Sequence, residues 1–186
     1  MEGVSIIPFG GKTPVVHPSA FVAPGCRLIG DVEIGPESSI WYNCVLRGDV
    51  NRIRIGARTN IQDGTVVHVD SPLAPGEAGQ PTLIGDDVLI GHMAMVHGCV
   101  LDDGAFVGLG ATIMNDCHVA TGGMLAAGAL LTPGKRIGAG ELWTGRPAKL
   151  ARMLTEAEMA FNRLGVVHYV ENARAHRAAI GAMTGD

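Results

Sequence analysis

Large rings are scarce in this chain. Only 4% of its 186 residues are aromatic: two Trp, two Tyr and four Phe. That scarcity fits a thin solenoid, whose narrow coils hold few bulky side chains. Cationic excess is missing as well. Fourteen Lys and Arg against eighteen Asp and Glu give a net charge of -4, which argues against a surface for nucleic acid or anionic membrane. No apolar run approaches the roughly 18 residues of a membrane span. Met1-Glu2-Gly3-Val4 lacks the basic and apolar regions of a signal peptide. The expectation is a soluble cytoplasmic protein with no nucleic-acid or membrane partner. Cysteines number four, Cys26, Cys44, Cys99 and Cys117, at spacings that match no zinc-ribbon or redox pattern. They read as buried core thiols.

What is abundant is glycine, 27 of 186, about twice the ordinary share and suited to tight corners. Aliphatic residues recur every six positions. The leading residues are Val16, Val22, Leu28, Ile34, Ile40 and Leu46, then Ile55, Ile61 and Val67. The series resumes at Ile84, Ile90 and Val96, and runs on through Leu101, Val107, Ile113, Val119, Leu125, Leu131 and Ile137. A hexapeptide period marks a parallel β-helix. The fold class expected is mainly β: a left-handed parallel β-helix over residues 1–150, three faces to a coil. Residues 151–186 then form a terminal helix and tail packed along it. Thr155 with Glu158 three residues later reads as a capping box, the helix runs to about Ala182, and Gly165 offers it a place to bend.

Three irregularities interrupt the period. Leu46 to Ile55 carries three extra residues, Val67 to Ile84 carries eleven, and Val96 to Leu101 is one short. The second insertion contains Ser71-Pro72-Leu73-Ala74-Pro75-Gly76, a loop signal. If each insertion bulges outward and the coil resumes on the next face, Leu46, Val67 and Val96 share face one. Arg47, His68 and His97 then form a column, with rungs about 4.8 Å apart. His92 falls on face three above Asp63. A prism that trimerises side by side sets face one of one copy against face three of the next. His68 and His97 thereby meet the neighbour's His92, and the ring closes the head-to-tail contact. Three His ligands leave a coordination position open, as catalytic metals require. His17, His118, His168 and His176 lie outside this register and read as ordinary surface or hydrogen-bonded residues.

Arg47-Gly48-Asp49, Asn60-Ile61-Gln62-Asp63, His68, and His92 with His97-Gly98 five residues on together resemble the γ-class carbonic anhydrases. The likeness extends through Gly145-Arg146-Pro147-Ala148-Lys149 to the terminal helix. It implies a homotrimer with one divalent metal per subunit interface, zinc foremost, iron or cobalt in some members. The implied ligands are His68, His92 and His97. The implied reaction is reversible hydration of CO2 to bicarbonate by hydroxide generated at the metal. By the same likeness Gln62 orients hydroxide or substrate, Asn60 is a second polar partner, and Tyr169 is an aromatic near the site. Arg47 and Asp63 tie adjacent subunits, with Asp49 supporting them. One departure is visible: family members with fast turnover carry acidic residues where this chain has Val50 and a short loop over 70–82, so slow turnover is expected. Two other classes fit the fold, a hexapeptide-type acyltransferase and a non-catalytic metal-binding homologue, because fold alone does not fix function.

Overall fold

A computed structural model describes residues 3–184 apart from Leu73 and Pro75, and for Met183 and Thr184 the backbone alone. Those two loop residues of the second insertion, and the last two residues of the expected tail, lie outside the described residues.

The chain winds into a left-handed parallel β-helix with three faces. Face one stacks Ser5–Ile7, the first halves of Arg27–Ile34 and Val45–Ile55, then Val66–His68, Met95–His97, Thr112–Ile113 and Leu130–Leu131. Face two stacks Val15–Val16, the second halves of the same two strands, Thr82–Ile84, Val100–Leu101, His118–Val119 and Arg136–Ile137. Face three runs from Phe21–Val22 through Ser39–Ile40, Asn60–Ile61, Leu89–Ile90, Phe106–Val107 and Met124–Leu125 to Glu141–Gly145. The leading aliphatics point inward and stack: Leu46, Ile61, Val67, Ile90, Val96 and Ile113 are all fully buried. Side chains alternate across each short strand, so the residue after each leading aliphatic faces out.

The irregularities are absorbed at corners, and the register survives them. Leu46 pairs with Val67 and Val67 with Val96, while Ile55 pairs with Ile34 and Ile84. Three of the cysteines, Cys26, Cys44 and Cys117, sit at inner corners four residues after a leading aliphatic. Each thiol donates to a carbonyl of the next coil: Trp41 at 2.8 Å, Gln62 at 3.1 Å and Thr132 at 3.1 Å. All four cysteines are buried and free.

The end of the solenoid carries an antiparallel strand that the hexapeptide period does not mark. Beyond Leu142 the chain does not leave the sheet: Glu141–Gly145 turns at a cis Arg146–Pro147 bond, and Ala148–Met153 returns antiparallel beside it. The helix Glu156–Thr184 then runs back along face three. It starts by the last coil, where Leu154 N–H donates to Gly140 at 2.8 Å. It ends by the first coils, where Arg177 donates to the carbonyls of Ser19 and Ala20. Between them Trp41 packs edge-on against Phe21, Tyr169 and His176. Gly165 interrupts nothing. A Cβ there would meet Leu89 Cδ1 at 3.2 Å, so this glycine lets the helix approach the sheet.

Candidate metal centre

Register builds the site. Arg47 pairs with His68 and His68 with His97 as direct neighbours on consecutive rungs of face one. The loop insertions on either side of this column contribute the groups that engage it. Asp49, in the first, accepts from Arg47 and sits 2.9 Å from His68 Nε2. Asp70, in the second, stands at the neck of the longer loop, where it pairs through its backbone with Gln80. Thr82, fully buried at the end of that loop, donates its hydroxyl to the His68 carbonyl and accepts from Gly98 N–H at 2.9 Å. One hydroxyl thus ties the backbones that carry the two histidines.

Four side-chain contacts form one line. His68 Nε2 meets Asp49 Oδ1 at 2.9 Å, and His68 Nδ1 meets His97 Nε2 at 3.0 Å. His97 Nδ1 meets Asn115 Oδ1 at 2.5 Å, and Asn115 Nδ2 donates to Asp70 Oδ2 at 2.5 Å. Both ends are carboxylates, which only accept. A neutral imidazole or an amide supplies one donor to such a line, so three donors serve four contacts. With protons on His68 Nε2 and His97 Nδ1, as Asp49 and Asn115 require, the two remaining lone pairs face each other. Nitrogens on one tetrahedral zinc, at about 2.0–2.1 Å from it, lie roughly 3.3 Å apart. The donor set and its 3.0 Å spacing therefore fit a shared cation. Burial holds the His68 imidazole below its ordinary pKa despite the Asp49 carboxylate, which keeps its lone pair available. Burial acts to raise Asp49, but hydrogen bonds from His68 and Arg47 outweigh it and the carboxyl lies below its usual range.

The other half of the expected residues gathers on face three. His92 Nδ1 meets Asp63 Oδ2 at 2.8 Å. Gln62 Nε2 donates to Asn60 Oδ1 at 3.0 Å. Asn60 Nδ2 is the one buried side-chain polar atom left without a hydrogen-bond partner among the described residues. Tyr169 comes from the terminal helix; burial, and then the Asp63 charge, push its phenol pKa up. The nine expected residues thus form two groups: Arg47, Asp49, His68 and His97 on face one, and Asn60, Gln62, Asp63, His92 and Tyr169 on face three. Among the described residues no hydrogen bond or ion pair joins the groups, and no cluster of three or more His, Cys, Asp or Glu in one chain is arranged to hold a metal. Within one chain Arg47 pairs with Asp49, and Asp63 with His92.

Sequence reasoning missed Asn115 and Thr82. Asn115 lies two residues after Ile113, one place beyond the histidine column, where spacing gives no signal. The remaining histidines are engaged elsewhere: His17 with Ser19, His118 with Asp102, His168 with Asn172 and His176 with Tyr42.

Fold and register define a hexapeptide-repeat β-helix protein with two histidines stacked on one face. Comparison with known proteins narrows this. No family model matches the chain. It is 39% identical to a carbonic anhydrase of Geobacillus kaustophilus over 93% of this chain and 91% of that protein. It is 50% identical to the mitochondrial gamma carbonic anhydrase 1 of Arabidopsis thaliana over 90% of this chain. The match spans about 60% of the length of that plant relative. A solved hexapeptide transferase family protein from Anaplasma phagocytophilum superposes with a TM-score of 0.86 at 45% identity, covering 94% of this chain and 99% of that one. The chain belongs to the γ carbonic anhydrase family.

Proposed function

We propose that this protein hydrates CO2 reversibly to bicarbonate at a divalent metal, zinc foremost, shared between two copies in a trimer. The supporting observation is the division of the nine residues into two incomplete groups on different faces. One offers two imidazoles with converging lone pairs; the other offers a third imidazole beside buried amides. A cyclic trimer sets unlike faces together at every interface, which joins the groups three times. Apolar side chains surround them: Met93 is 71% exposed next to His92, and Val50, Met95 and Met114 are exposed beside Asp49, His97 and Asn115. Exposed apolar side chains beside each group suit a covering partner.

A divalent cation held there acidifies water and so supplies hydroxide near neutral pH. The chain's own residues do the rest. His68, His97 and the neighbour's His92 hold the cation. Asp49 aims His68, and Asp63 aims His92. The Gln62 amide, fixed by Asn60, orients hydroxide or substrate, and the unpaired Asn60 Nδ2 offers a donor to an anionic product. No carboxylate stands at position 50, and Asp70 is already engaged by Asn115, so slow proton export and modest turnover follow.

Stopped-flow CO2 hydration with zinc-, cobalt- or iron-loaded protein tests this reading. Activity with one metal that disappears in His92→Ala supports it. A fully metallated trimer with no hydration under any metal overturns it. The acyltransferase reading instead expects coenzyme A binding, which titration calorimetry detects.

A further inference from the structure

Asn115 and Asp70 have no place in the scheme of three ligands and a substrate-orienting amide, yet they sit directly behind one ligand. The Asn115 amide stands between an imidazole and a carboxylate. Its Nδ2 faces Asp70 Oδ2 and its Oδ1 faces His97 Nδ1. A carboxylate only accepts, so Asp70 fixes which way the amide points, and the amide in turn fixes the proton on His97 Nδ1. The lone pair is thereby forced onto Nε2, the nitrogen 3.0 Å from His68. Asp70 is itself anchored. Its N–H donates to Gln80 at 2.8 Å, its carboxylate accepts from Ser71 N–H at 3.1 Å, and its carbonyl accepts from Asn51 Nδ2, which also holds Ala78 at 2.8 Å. The neck of the long loop and the first insertion therefore meet at the Asp70 backbone, which holds the carboxylate in place.

We propose that Asp70 and Asn115 are positioning residues that set the tautomer and aim of His97, and so couple the long loop to metal affinity. The proposal rests on the reading of His97 as a ligand. It gives all three imidazoles a carboxylate behind them: Asp49 for His68, Asp63 for His92, and Asp70 through an amide for His97. Groups of this kind raise ligand basicity, and their loss costs about 10–100-fold in metal affinity. It also assigns the loop's first acidic residue to orientation rather than to carrying protons.

The test is cobalt affinity by chelator competition, with the visible cobalt spectrum as a second readout, on full-length wild type and four variants. Asn115→Leu is expected to weaken cobalt about 10–100-fold and to alter the spectrum. Asn115→Asp sets a carboxylate against Asp70 and is expected to weaken binding similarly. The double variant Asn115→Asp/Asp70→Asn restores acceptor towards His97 and donor behind it, and is expected to return affinity to within about threefold of wild type. A purely space-filling role does not predict that rescue. His97→Ala separates the layers of the claim. If it abolishes binding while Asn115→Leu matches wild type, the positioning role is overturned and the metal site stands. If His97→Ala binds as wild type does, both are overturned. If Asn115→Leu does not fold, the comparison of Asn115→Asp with the double variant decides, and absence of rescue overturns the proposal.

Discussion

Thr82 shows how much of the candidate centre depends on groups outside its proposed ligands. Its hydroxyl bridges the His68 carbonyl and Gly98 N–H from a fully buried position. Thr82→Val keeps the shape and deletes both bonds. We expect a loss of about 1–3 kcal/mol in stability by urea denaturation, together with weaker cobalt binding; an unchanged midpoint contradicts the bridging role. Met93 makes the opposite kind of prediction. It holds a left-handed backbone, φ 58°, at the corner beside His92, where Asp is readily tolerated. Met93→Asp is expected to leave the fold intact and to shift sedimentation from the proposed trimer to monomer, because the charge enters the surface that the proposed trimer covers. At this scale the sequence was readable where the hexapeptide register applied. Arg47, His68 and His97 could be stacked, and His92 set over Asp63, by counting alone. Asn115, Thr82 and the bond from Asp70 were not readable. They reach the column from the next rung and from a loop whose path no period dictates.

The terminal helix illustrates an element whose start was legible and whose packing was not. Its capping box forms as expected: Glu158 N–H donates to Thr155 Oγ1 at 3.2 Å, and Thr155 N–H donates to Glu158 Oε2 at 2.9 Å. A bidentate Arg152 adds two more bonds to the same carboxylate. Arg152 first, then Thr155, hold the Glu158 carboxyl at about 2, against an ordinary 4.5. A folded-state pKa below the unfolded one stabilises above the unfolded value and is lost as pH falls through the folded one. The helix start should therefore weaken between about pH 4.5 and about pH 2. Amide exchange of the first helical turn checks this, and Glu158→Gln is expected to flatten the dependence. The side of the solenoid that receives the helix was not evident from the chain. Gly165 suggests a bend until Leu89 is seen 3.2 Å from where its Cβ would stand. The Ala148–Met153 strand was hidden for a related reason. It lies on the outer edge with its side chains exposed after Ala148, so it lacks the buried Val, Leu or Ile that marks the rungs from Phe21–Val22 to Arg136–Ile137.

Across the whole molecule, the solenoid turns sequence period into spatial address. Insertions leave at corners while leading aliphatics stay stacked, so the faces keep their identities through three irregularities. That constancy places two imidazoles on one face and the third on another, so the proposed centre calls for a second copy. The most direct test mixes two variants with complementary defects, His97→Ala and His92→Ala, after dissociation and reassembly. Each alone lacks one ligand at every interface and is expected to be inactive in CO2 hydration. In random mixed trimers about one quarter of interfaces pair an intact face one with an intact face three, so about one quarter of wild-type activity should return, with cobalt binding recovered in proportion. A mixture as inactive as its parents, or a single variant with wild-type activity, would contradict a centre shared between subunits.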